Sequence, residues 1–128
     1  MREQLLLRER QEDGAVVLTV GGELDIVTGE QLDRRLSGLA AAGHSRVLVD
    51  ATGLTFCDAY GVRALTRARV RARTQGGWLR LVGVRPRVRR TLTLLALTEF
   101  LPMFDTLAEA LSDPGFATAP TGATASGT

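Results

Sequence analysis

Val47-Leu48-Val49-Asp50-Ala51-Thr52-Gly53-Leu54-Thr55-Phe56-Cys57-Asp58-Ala59-Tyr60-Gly61-Val62 decides the fold of this chain. An apolar, β-branched run ends in an aspartate. A short loop follows, then a second aspartate placed to cap a helix, then the helix itself. Arg46 to Asp50 reads as a strand, apolar at three successive positions. Such a strand suits a sheet covered by helices. Asp50, at its end, is expected to bond loop amides. Asp58 is expected to accept hydrogen bonds from the free amides of the helix start.

Outward toward the N-terminus, Leu5-Leu6-Leu7 predicts a short first strand. Asp13-Gly14 is a turn signal between apolar runs. Ala15 to Val20 predicts a second strand, broken by Gly21-Gly22. Thr28 is placed to cap a helix over 29–42. Leu32, Leu36, Leu39 and Ala40 recur there at helical spacing, and Gly43 stops it. Outward toward the C-terminus, a helix is predicted over 59–75, with Gly61, Leu65, Ala68 and Ala72 as its narrow apolar stripe. Gly76-Gly77 reads as a turn. Trp78 to Val82 follows as an inner strand. Pro86 suits the first turn of a helix running to about Leu97, with Val88, Leu92, Leu95 and Ala96 on its buried side. Met103 to Asp105 is a short last strand, and Thr106 to Leu111 a last helical turn or two. The order is β-β-α-β-α-β-α-β-α. A leading hairpin excludes a simple doubly wound fold. The expectation is an α/β domain over residues 1–112, a mixed sheet with helices mostly on one face. Residues 113–128 have almost nothing to bury and read as a disordered tail.

The 128 residues suit one domain, and 45% hydrophobic residues supply one core rather than two. No apolar run approaches the roughly 18–20 residues that span a bilayer. The N-terminus reads as neither a signal peptide nor a lipidation signal. One cysteine (Cys57) and one histidine (His44) rule out an internal disulfide and argue against a zinc site. We therefore expect a cytoplasmic, non-enzymatic chain with no cofactor and no metal. Neither a triad nor a phosphate loop is present, and Glu23 with Asp25 makes no acid–base pair without a nucleophile. Cys57 stands beside a helix start, where a thiolate is favoured, but its apolar neighbours suit a buried, inert thiol. His44 reads as a surface residue.

All 16 basic residues are arginine, a bias that GC-rich codons produce. The charges are segregated: from Tyr60 to Thr98 there are ten arginines and no acid, whereas Met1 to Asp58 holds ten acids and six arginines. Arg63, Arg67 and Arg71 fall four apart on one helix face. Arg69 and Arg73 make a second row, and Arg87, Arg89 and Arg90 add charge from the next helix. Such a face could bind nucleic acid, dock an acidic protein, or be merely solvated. Apart from Tyr60 it carries no aromatic for base stacking, which makes nucleic acid the weakest of the three readings.

The segment Asp58-Ala59-Tyr60-Gly61-Val62 resembles the phosphorylation loop of STAS domains, the family of bacterial anti-sigma factor antagonists. Those proteins usually read Asp-Ser-Ser-Gly-Leu or Asp-Ser-Ala-Gly-Leu here, with the first serine as phosphoacceptor. Four further stretches carry the resemblance: Gly22-Glu23-Leu24-Asp25, Val47-Leu48-Val49-Asp50, Thr52-Gly53-Leu54-Thr55-Phe56 and Arg85-Pro86-Arg87-Val88. The resemblance implies the STAS fold from about Leu5 to Leu111, and a protein partner that is an anti-sigma factor or serine kinase-like ATPase. In the family, phosphorylation adds about −1.5 to −2 charges, which repel the partner. Ala59 puts a methyl group where that hydroxyl would be. The Tyr60 phenol lies too far out for a serine kinase, and neither Thr55 nor Thr66 occupies the matching place. The resemblance thus implies a partner surface of Glu23, Leu24, Asp25, Asp58, Ala59, Tyr60 and Gly61, with Arg63 and Arg67 beside it, and no serine switch. The rival reading is a STAS scaffold or sensor that binds a small ligand or nucleotide.

Overall fold

The computed structural model describes residues 5–114. It contains β1 (Leu6–Glu12), β2 (Ala15–Leu24), α1 (Ile26–Ala41), β3 (Arg46–Cys57), α2 (Ala59–Thr74), β4 (Trp78–Val82), α3 (Pro86–Leu94), β5 (Met103–Phe104) and α4 (Leu107–Ser112). The five strands form one sheet in sequence order. β1 runs antiparallel to β2, and all other neighbours are parallel. The predicted tail begins at Asp113. Beyond Pro114 it lies outside the described residues.

The leading hairpin turns on Asp13 and Gly14, both at positive φ (49° and 81°). Two such residues in a two-residue loop match the right-handed twist of the flanking strands. β1 continues past the expected Leu5-Leu6-Leu7 through its charged residues to Glu12, which pairs with Ala15. An edge strand facing solvent tolerates that composition.

Apolar residues divide between the two faces of the sheet. Leu18, Val20, Val49, Leu79 and Leu81 meet Leu32, Leu36 and Leu39 of α1, Leu65 and Ala68 of α2, and Val88 and Leu92 of α3. The opposite face, with Val17, Leu48, Trp78 and Val82, is covered by Ala110 of α4, with Leu107 and Leu111 alongside. Three helices on one face and one on the other is the expected mixed-sheet architecture. Each fully buried leucine contributes about 1.5–3 kcal/mol, so the larger face dominates the stability.

β3 does not stop at Asp50: it runs to Cys57, so the expected loop is strand paired with β2. Three further boundaries differ from the sequence reading. Gly21-Gly22 does not end β2, which continues to Leu24 through two register shifts against β3. Gly21 pairs with Gly53, and a Cβ at Gly53 would approach the Gly21 Cα to 3.3 Å. Thr28 is not the cap of α1: Asp25 is. Its Oδ1 accepts the Val27 and Thr28 amides, each at 3.0 Å, and the Thr28 hydroxyl accepts the Asp25 amide at 2.9 Å. Threonine here takes the third position of a reciprocal capping box. Finally, α3 stops at Leu94. Ala96 adopts a left-handed φ of 58°, and the Leu97 amide donates to the Leu92 carbonyl at 2.9 Å. This closure leaves Leu95 and Ala96 exposed rather than buried.

Candidate functional site

The C-terminal ends of β2 and β3 and the starts of α1 and α2 meet at one end of the sheet. Leu24 pairs with Cys57, and the Asp58 amide donates to the Leu24 carbonyl at 3.1 Å. Each strand end thus hands directly to a capped helix. At the second cap, Asp58 Oδ1 accepts the Tyr60 amide at 2.9 Å and the Gly61 amide at 3.2 Å. Capping is the predicted role of Asp58, and the structure bears it out. Asp50 also acts as expected: its Oδ1 accepts the Thr52 amide at 3.0 Å and the Thr52 hydroxyl at 2.8 Å.

Ala59 is the first residue of α2 and is exposed. The same end of the sheet carries large apolar side chains open to solvent: Ile26 at 58%, Tyr60 at 50%, Val27 at 47% and Phe56 at 38%. The sequence reading passed over Ile26, Val27 and Phe56. No local signal separates them, since apolar residues beside a helix cap can also pack inward, as Leu24 and Cys57 do. Glu23 is exposed at the end of β2. Asp25 and Asp58 are half-buried, their carboxylates engaged by helix amides.

Two residues assigned to the surface lie beneath it. The Leu24 side chain is wholly buried. Gly61 is buried as well, and a Cβ there would lie 2.5 Å from the Leu24 Cβ and 2.8 Å from the Cys57 Sγ. Both position the site rather than form its exposed face. Gly29 does the same between the helices: a Cβ there would come within 3.2 Å of the Tyr60 carbonyl oxygen. The hydroxyls near the loop are committed. Thr55 donates to the Gly22 carbonyl at 3.2 Å, and Thr66 to the Arg63 carbonyl at 3.0 Å.

Cys57 is buried, and burial, reinforced by the Asp58 carboxylate, pushes its thiol up to about 12. It is a neutral packing group, with no reactive thiolate near neutrality. His44 is half-buried beside the β1–α1 cleft rather than fully at the surface. Among the described residues there is no group of three or more His, Cys, Asp or Glu able to hold a metal ion.

The arginines do different things. Arg63 and Arg67 are exposed and line a groove between α1 and α2 with Ile26, Gly29, Tyr60 and Ala64. Arg71, third in the row, instead pairs with Asp33 at 3.4 Å. Arg69 stacks on Phe100, 4.2 Å from its centroid. Arg80 is buried, at 2% exposure. Its guanidinium lies over the Trp78 ring at 4.1 Å and donates to the Ala110 carbonyl of α4. Burial holds its pKa below the ordinary arginine value, partly offset by Asp113.

A mixed sheet with a leading hairpin, and two capped helix starts at one end of it, define a single α/β domain. The STAS domain profile matches residues 7–110, and the chain belongs to that family. It is 26% identical over 102 residues to the anti-sigma-F factor antagonist RsfB of Mycobacterium tuberculosis, covering 78% of this chain and 81% of that one. Among solved structures it resembles an anti-sigma factor antagonist from Mycobacterium paratuberculosis, with a TM-score of 0.77 and 25% identity over 85% of this chain and 92% of that chain. It also shares its fold with unphosphorylated SpoIIAA, an anti-sigma factor antagonist, at a TM-score of 0.72 and 21% identity, covering 89% and 99% of the two chains. No helix among the described residues is long and apolar enough to cross a membrane.

Proposed function

We propose that this chain is an anti-sigma factor antagonist that docks an anti-sigma factor or serine kinase-like partner without a serine switch. The observation that carries the reading is Ala59, an exposed methyl at the first position of α2, at the end of the sheet that also exposes Ile26, Val27, Phe56 and Tyr60. A patch of exposed large apolar side chains at one end of a sheet marks a protein interaction site. The likeness to RsfB supports the kind of partner. Nothing at position 59 can accept a phosphoryl group, so that position cannot switch the association.

The supporting test is phosphate mapping by mass spectrometry after incubation with the host's anti-sigma kinase and ATP. The wild-type chain stays unmodified from Phe56 to Val62, while Ala59→Ser gains a phosphate at position 59. Stoichiometric phosphate on the wild-type loop, on Tyr60 for example, would overturn the reading.

A further inference from the structure

The α1–α2 groove carries more positive charge than the fold itself uses. Its α1 wall presents Glu30 and Asp33, and each already has an arginine: Arg34 at 3.7 Å and Arg71 at 3.4 Å. Its α2 wall presents Arg63 and Arg67. Neither side chain makes an ion pair or hydrogen bond among the described residues. No acid occurs between Tyr60 and Thr98, so the only acids lining the groove are Glu30 and Asp33, each with its own arginine. The groove has a volume of about 250 Å³ and includes Ile26 and Tyr60 in its lining. Cofactor and drug-sized ligands need roughly 300–1,000 Å³, so the space fits a strip of side chains better than a small molecule.

We propose that this groove receives an acidic helix of the protein partner. Two carboxylates one turn apart meet Arg63 and Arg67, and an apolar side chain enters between Ile26 and Tyr60. The inference rests on the protein-docking reading above. Residues four apart on a helix stand about 5–6 Å from each other, so glutamates at that spacing on the partner match the two arginines in register. Guanidinium groups hold carboxylates with paired, charge-assisted hydrogen bonds. A nucleic acid has no apolar side chain to set against Ile26 and Tyr60.

The test is an NMR titration of the isotope-labelled full chain. The probe is a capped alanine-based peptide of roughly fifteen residues, long enough to be partly helical, with glutamates four apart and a leucine in line. Controls are the same peptide with lysine for glutamate, and a DNA duplex. Saturable amide shifts are expected at Ile26, Gly29, Tyr60, Arg63 and Arg67, weakening with salt. Arg63→Glu with Arg67→Glu should weaken binding about tenfold or more, since charge reversal turns attraction into repulsion. If that double variant loses its dispersed spectrum, Arg67→Gln replaces it, with a smaller loss expected. No saturable shift, shifts elsewhere, or an equal response to the lysine peptide or to DNA would overturn the proposal. Such failure is separable from failure of the antagonist reading, which is tested at position 59 with the host's own partner.

Discussion

Gly61 of α2 packs on Leu24 of β2 so closely that a Cβ at position 61 would lie 2.5 Å from the Leu24 Cβ. The contact fixes where α2 starts relative to the strand that leads into α1. It thereby holds Ala59 and Tyr60 beside Ile26. Leu24 is fully buried and cannot swing away.

Gly61→Ala should therefore destabilise the fold by about 1–3 kcal/mol, the usual range for overpacking a core. The check is the urea midpoint, with the slope of the transition unchanged. A midpoint equal to wild type would mean that the two elements slide apart without cost.

Arg80→Ala should loosen α4 from the sheet. The change removes a charge-assisted hydrogen bond to the Ala110 carbonyl and the stacking on Trp78. Losing a hydrogen bond from a charged donor costs about 1.5–3 kcal/mol. Hydrogen exchange should accelerate first at Leu107 to Ser112 while α1 and α2 keep their protection. Uniform acceleration would show that Arg80 supports the whole core instead.

Much of this arrangement is legible in the sequence, for physical reasons that differ by element. Val47-Leu48-Val49 announces a buried strand because its three apolar positions leave no polar face. Asp13-Gly14 announces its turn because few residues tolerate positive φ. Asp58 announces a cap because aspartate competes for free helix amides. Other features depend on distant partners. β2 passes through Gly21-Gly22 only because Gly53 lies opposite it, which no local window contains. Arg80 alternates with leucines and reads as an ordinary inner-strand position, since the carbonyl and rings that accept it come from Ala110, Trp78 and Phe104. Asp25 and Thr28 are both good caps by composition, and only the geometry of their reciprocal bonds decides between them. Of the candidate site residues read from the sequence, Ala59, Tyr60, Arg63 and Arg67 are exposed, whereas Leu24 and Gly61 needed coordinates to reveal that they lie underneath.

Cys57 makes stability depend on alkaline pH. Its thiol is raised from 9.0 to about 12 in the fold, so the native state keeps its proton where the unfolded chain loses it. Below pH 9 both states hold the proton and the contribution is fully present. It is lost as pH rises through the window from 9.0 to about 12. Wild type should lose stability across that window more steeply than Cys57→Ala, as followed by urea midpoints at several pH values. In the folded protein the thiol should also resist alkylation near neutral pH and react once unfolded. Parallel pH curves for the two proteins, or rapid native alkylation, would contradict the burial argument.

The measurement that tests the central claim most directly is titration calorimetry of wild type and Ala59→Asp against the purified anti-sigma factor of the host. The substitution adds one negative charge at the exposed start of α2, beside Asp58, where family members acquire theirs by phosphorylation. Wild type should bind equally well with and without prior incubation of the mixture with ATP, and Ala59→Asp should bind about tenfold or more weakly, a change of roughly 1.4 kcal/mol or more. Equal affinities for the two proteins would place the partner elsewhere on the chain and contradict the account.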